Sequence, residues 1–129
     1  MILKLGKAIE VQGAIYLVLN DLPPKTNKVR HIELVPFAKL QLRKGGEGVL
    51  EYLAVPPRMQ YKKLGTKLLA VIFEYMESNN IRTVTFDNFA KIFWRKSVDR
   101  YPSQIVFPFV HTPLLGVLKL PEASTSTNL

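Results

Sequence analysis

Two stretches of this 129-residue chain hold side chains whose types and spacing could do chemistry. The first is Val49 to Val55, VLEYLAV, an apolar run broken only by Glu51. Desolvation of a carboxylate in a buried strand disfavours its charged form and moves it toward the working range of a general base. The competing reading is a carboxylate at a sheet edge, paired with one of the many Lys and Arg side chains. The second stretch is Pro56 to Lys67, PPRMQYKKLGTK, which leads from that strand into a run with helical spacing. First-turn amides of a helix have no intrahelical acceptors, and the dipole places about half a positive charge there. Phosphate binds naturally at such a place. Gly65 permits close backbone approach, Thr66 offers a hydroxyl, and Arg58, Lys62, Lys63 and Lys67 add positive charge. Basic residues oppose the dipole at that end, and a bound anion relieves the cost. The alternative is a solvated basic turn in which Gly65 serves packing.

Other reactive side chains are scattered. His31 and Glu33 share one face of a short alternating run and are fallback bases, each a surface residue by default. His111, close to Pro113, reads as structural or surface. With two histidines and no cysteine, no metal-ligand cluster, disulfide scaffold or cysteine nucleophile is available. No serine stands in a nucleophile-elbow context.

The elements that must position these residues follow from periodicity. Ala14 to Asn20 is a β-rich apolar run, followed by the turn-forming DLPPKTNK. Val29 to Val35 alternates as a strand, Pro36 bends or ends it, and Ala38 to Leu42 resumes it. RKGGEG is a turn, and Val49 to Val55 is a buried strand. Leu64, Leu68, Val71, Ile72 and Tyr75 recur at helical spacing, and Ser78-Asn79-Asn80 suits a left-handed helix end. Arg82 to Phe86 is a short β-branched strand. Asp87 or Asn88 caps a second helix from Phe89 to about Arg100, before the Tyr101-Pro102 break. Ile105 to Val110 and Leu114 to Leu120 complete the strands. The expected fold is α/β (α+β): one central mixed, mostly antiparallel sheet flanked by helices. It forms a single domain over residues 1–121, with a polar tail at 122–129.

Val49 to Ile81 resembles the acyl-CoA-binding segment of the GCN5-related N-acetyltransferase (GNAT) superfamily, in which a strand ending in V-x-P precedes Q/R-x-x-G-x-G/A and a helix. DNFAKIFWRK resembles the segment that follows, a helix bearing an Ala and then an aromatic pair. The resemblance covers about Val49 to Lys96. It implies a reduced member, because the N-terminal third is shorter than the family's strand, two helices and strands. It further implies acetyl-CoA as co-substrate and an amine as acceptor. Leu53 to Val55 would lend backbone groups to the pantetheine arm. Gln60, Tyr61, Lys62, Lys63, Leu64, Gly65 and Thr66 would wrap the pyrophosphate, and Asn88 would reach the pantetheine. Glu51 would take the proton from the attacking amine.

Three departures from the pattern stand out. Lys63 occupies the position of the first motif glycine, which puts a Cβ and an ammonium beside the pyrophosphate. The aromatic pair is Phe93-Trp94, where the family often has Tyr second as the acid for the departing thiolate. Trp94 can donate a hydrogen bond but supplies no proton, and Tyr101, seven residues on, is the substitute. The shortened N-terminus also removes part of the usual acceptor site.

Composition bounds the alternatives. Net charge is +8 with 18 Lys and Arg, which favours anionic partners. A CoA-binding module without catalysis is one alternative reading. A nucleic-acid-linked role, on RNA or aminoacyl-tRNA, is another. The start, MILKLGKAIEVQG, is too broken by polar residues for a signal peptide, and no apolar run approaches the roughly 20 residues that span a bilayer. A cytoplasmic protein without membrane attachment is expected. A homodimer through the final strands is implied by the resemblance alone.

Overall fold

The computed structural model describes residues 3–20, 36–55, 63–87, 91–107 and 115–120. In chain order the elements are β1 (Gly6–Val11), β2 (Ala14–Leu19), β3 (Phe37–Arg43), β4 (Glu47–Ala54), α1 (Leu64–Ser78), β5 (Thr83–Asp87), α2 (Lys91–Arg100), β6 (Ile105–Val106) and β7 (Leu115–Lys119). They form one seven-stranded sheet in the order β1-β2-β3-β4-β5-β7-β6. Only β4 and β5 pair in parallel, through the α1 crossover; every other pair is antiparallel. The expected mixed, mostly antiparallel sheet is the one observed.

Tight turns set the antiparallel part. Gln12 and Gly13, both at positive φ (50° and 83°), join β1 to β2. Two such residues match the right-handed twist of a hairpin. β1 was not among the expected strands; its mixed GKAIEV lacks clean alternation, and as an edge strand it has only β2 to pair with. Residues 29–35, 108–110 and 114, assigned to strands from the sequence, lie outside the described residues.

Both helices cover the same sheet face. Leu17 pairs with Ala38, Leu40 with Leu50, and Leu50 with Phe86, which puts these side chains on one side. They join Leu68, Leu69, Val71, Ile72, Met76 and Trp94 in a single buried core. α1 follows the expected spacing, and its end is a Schellman motif. Asn80 takes a left-handed φ of 55°, and Ile81 N–H donates to Met76 C=O at 2.9 Å. Burial, and secondarily the charge of Glu10, pushes the Tyr75 hydroxyl above its ordinary range, so it packs as a neutral group. The Glu74 carboxylate accepts from the Lys4 and Leu5 amides at 2.6 and 2.9 Å, tying the chain start to α1. No helix among the described residues is long and apolar enough to cross a membrane.

Candidate active site

The parallel β4–β5 pair runs only from Glu47↔Thr83 to Leu50↔Phe86. Beyond Leu50, β4 continues to Ala54 with no β5 partner, and the two strands part. The β3–β4 ladder slips at the same level. Lys39 pairs with Tyr52 and Leu40 with Leu50, so Glu51 is the extra residue of a β-bulge. Glu51 therefore has no cross-strand Cα partner on either side. Where the strands separate lies a cavity of about 250 Å³ lined by Val49, Leu50, Glu51, Tyr52, Thr85, Phe86 and Asp87. The apolar strand read from the sequence thus places its one carboxylate at the mouth of a cleft between parallel strands. Such clefts, outside the carboxyl ends of strands, are where open α/β sheets take ligands.

Glu51 is about one-third exposed, yet its Oε1 is enclosed and makes no hydrogen bond. It pairs with Lys39, whose Nζ lies 3.7 Å from Oε1, too long for a hydrogen bond. Glu51 is thus paired with a lysine, as one reading of the sequence had it, and it lines the cavity.

The helix start lies past the end of the same strand. Lys63 caps α1 in the left-handed conformation, φ 57° and ψ 25°. The first intrahelical bond runs from Lys67 N–H to Lys63 C=O at 3.2 Å, so the amides of Leu64, Gly65 and Thr66 precede the helical ladder. The first turn contains no acidic residue, and no side chain caps it. Lys63 and Lys67 are exposed there. The left-handed φ explains the motif position: glycine enters this region freely, whereas a residue with a Cβ is strained there by about 1–2 kcal/mol. Lys63→Gly is expected to stabilise the fold by about 0.5–1 kcal/mol, the relief of strain being partly offset by glycine's backbone entropy. Urea unfolding of the two proteins measures this.

Gly65 serves packing, one of the two readings made of it. A Cβ there would lie 2.9 Å from Phe93 Cε1, so Gly65 lets α1 and α2 approach each other. Its packing reading is the one the contacts support, and a bulky replacement would displace α2 whatever it did to a ligand. Phe93 also meets the neighbouring Trp94 edge-on at 5.0 Å, and Trp94 stacks on Phe86 with ring centroids 3.9 Å apart. The aromatic pair thus bridges the α1 start and the cavity wall. Trp94 is 1% exposed, and its Nε1 has no hydrogen-bond partner.

Other expected site residues scatter. Leu53 faces the helices as the partner of Ala38, and Val55 follows β4, both half-buried. Tyr101 is not brought to the cavity. The ten residues of α2 extend about 15 Å, at 1.5 Å each, from the end near β5. The Tyr101 ring instead packs 4.9 Å from Phe73. His31, Glu33, Arg58, Gln60, Tyr61, Lys62, Asn88 and His111 lie outside the described residues. Among the described residues no three His, Cys, Asp or Glu side chains gather to hold a metal. Sequence reasoning missed Tyr52, Thr85 and Asp87 as cavity walls, and Lys39 as the partner of Glu51. The parallel pairing of β4 and β5 was the available signal for Thr85 and Asp87, because it brings their carboxyl ends together.

Comparison with known proteins agrees with this fold. The model of the acetyltransferase (GNAT) family matches residues 12–96. No curated protein matches the chain. Among solved structures, Tetrahymena GCN5 superposes with a TM-score of 0.60 at 17% identity, covering 88% of this chain and 72% of its own. The ribosomal-protein-S18-alanine N-acetyltransferase of Escherichia coli gives a TM-score of 0.58 at 17% identity, covering 93% and 77%. A Bacillus subtilis acetyltransferase in complex with CoA gives 0.54 at 11% identity, covering 86% and 80%. At these identities the superpositions show a shared fold.

Proposed function

Because the chain belongs to the acetyltransferase (GNAT) family, we propose that it transfers an acetyl group from acetyl-CoA to an amine, using the cavity between β4 and β5. The observation that carries this reading is the coincidence of three features at one end of the sheet. The parallel strands part, the bulge presents Glu51 there, and the uncapped start of α1 follows the same strand.

These residues fit the co-substrate. The Leu64, Gly65 and Thr66 amides, with exposed Lys63 and Lys67 beside them, offer donors and positive charge to a pyrophosphate. The β4 segment past Leu50, Leu53 included, runs beyond its last β5 pair and offers main-chain groups to the pantetheine amides. The buried, unpartnered Trp94 Nε1 is a donor in need of an acceptor.

Glu51 receives the proton of the acceptor nitrogen, directly or through water, as that nitrogen bonds to the acyl carbon and the carbon–sulfur bond breaks. The departing thiolate takes its proton from solvent, since Trp94 provides none. Holding donor and acceptor in line supplies much of the rate, because effective molarity is large when geometry is right.

Calorimetric titration with acetyl-CoA, followed by thiol-release assays over a panel of amines, tests the proposal. Micromolar binding with amine-dependent thiol release is expected. Absence of binding would remove it, and binding without thiol release from any amine would leave a CoA-binding module.

A further inference from the structure

Lys39 is held unusually for a lysine in the middle of a strand. Its cross-strand partners on both sides are tyrosines, Tyr16 on β2 and Tyr52 on β4. The three form a row on the sheet face opposite the helices. The Nζ atom lies 5.8 Å from each ring centroid and 3.7 Å from Glu51 Oε1. Ring faces attract a cation at this range, so the ammonium is drawn to one place from two directions. Glu51, by contrast, is the bulged residue, with no ladder partner to fix its backbone on either side.

We propose that Lys39 is a positioning residue for Glu51: its ammonium, held between the Tyr16 and Tyr52 rings, fixes the carboxylate at the cavity wall. This rests on the reading of Glu51 as the base in acyl transfer. Lys39 does not touch the reacting atoms; it acts through Glu51.

The test compares wild type with Lys39→Met and Lys39→Arg, with Lys39→Gln replacing the Met variant if that does not fold. Both kcat and KM are measured with acetyl-CoA and one accepted amine, and acetyl-CoA binding by calorimetry. In Lys39→Met, kcat should fall about three- to tenfold, as expected for a loosened catalytic group, with KM and affinity for acetyl-CoA little changed. Lys39→Arg should restore most of the loss. An unchanged kcat in Lys39→Met overturns the proposal. A wild type that neither binds acetyl-CoA nor releases thiol removes the role in catalysis, and the failure then lies with the acyl-transfer reading.

Discussion

Glu51→Gln is expected to lower kcat by about 10²–10⁴-fold, the usual contribution of a positioned general base, while acetyl-CoA affinity stays near the wild-type value. Glutamine preserves the shape of the bulged side chain and its place on the cavity wall but cannot accept the amine proton. The residues proposed to hold the pyrophosphate and pantetheine are elsewhere, on the α1 start and on β4 beyond the bulge, so binding has no reason to suffer. The sign in pH follows directly. In the wild type the rate rises as Glu51 loses its proton, and in the variant that limb disappears. Thiol release followed across a pH series for both proteins checks this; an unchanged profile would take the base assignment away from Glu51. Folding should be nearly unaffected, because the Lys39–Glu51 pair is long and about one-third open on the Glu51 side, and such pairs contribute about 0–1 kcal/mol.

Trp94 should separate stability from binding. Trp94→Ala removes a ring that is 1% exposed and stacked on Phe86, and is expected to cost about 3–5 kcal/mol in urea unfolding. Trp94→Phe keeps an aromatic ring on Phe86 but deletes the indole N–H. A buried donor without an acceptor costs about 1–3 kcal/mol, so its removal offsets much of the lost ring volume. The Phe variant should stay within about 1 kcal/mol of wild type by that balance. If the N–H meets a carbonyl of acetyl-CoA, the same variant should bind the co-substrate about five- to tenfold more weakly, the equivalent of one hydrogen bond. Unchanged affinity in Trp94→Phe would return Trp94 to a purely packing role. Trp94 is the chain's single tryptophan, so its fluorescence follows binding in the wild type.

Much of the fold was legible because its signals are local. The α1 helix follows from apolar spacing over a few turns, and Asn79-Asn80 from the readiness of Asn to enter the left-handed region. The family resemblance, not a local signal, put Lys63 at a glycine position, and its φ of 57° is one that glycine enters freely. Within VLEYLAV, Glu51 stood out as the lone charge in an apolar strand. Sequence distance misled where geometry intervened. Tyr101 is seven positions from Trp94, yet a helix carries it away from the cavity and onto Phe73. β1 escaped notice because an edge strand with one partner has weak demands on alternation.

The sequence by itself therefore determined the helices, most strands, the basic helix start and the lone charge in the apolar β4 run. Each depends on residues within a few positions of one another, where spacing, propensity and capping act. Tertiary structure fixed where β4 stops pairing with β5, after Leu50 and Phe86. It alone placed the bulge at Glu51, and it alone brought Lys39, Asp87 and Thr85 to that residue's surroundings. Those facts are matters of register between strands distant in the chain, set by the collective packing of the core beneath the sheet.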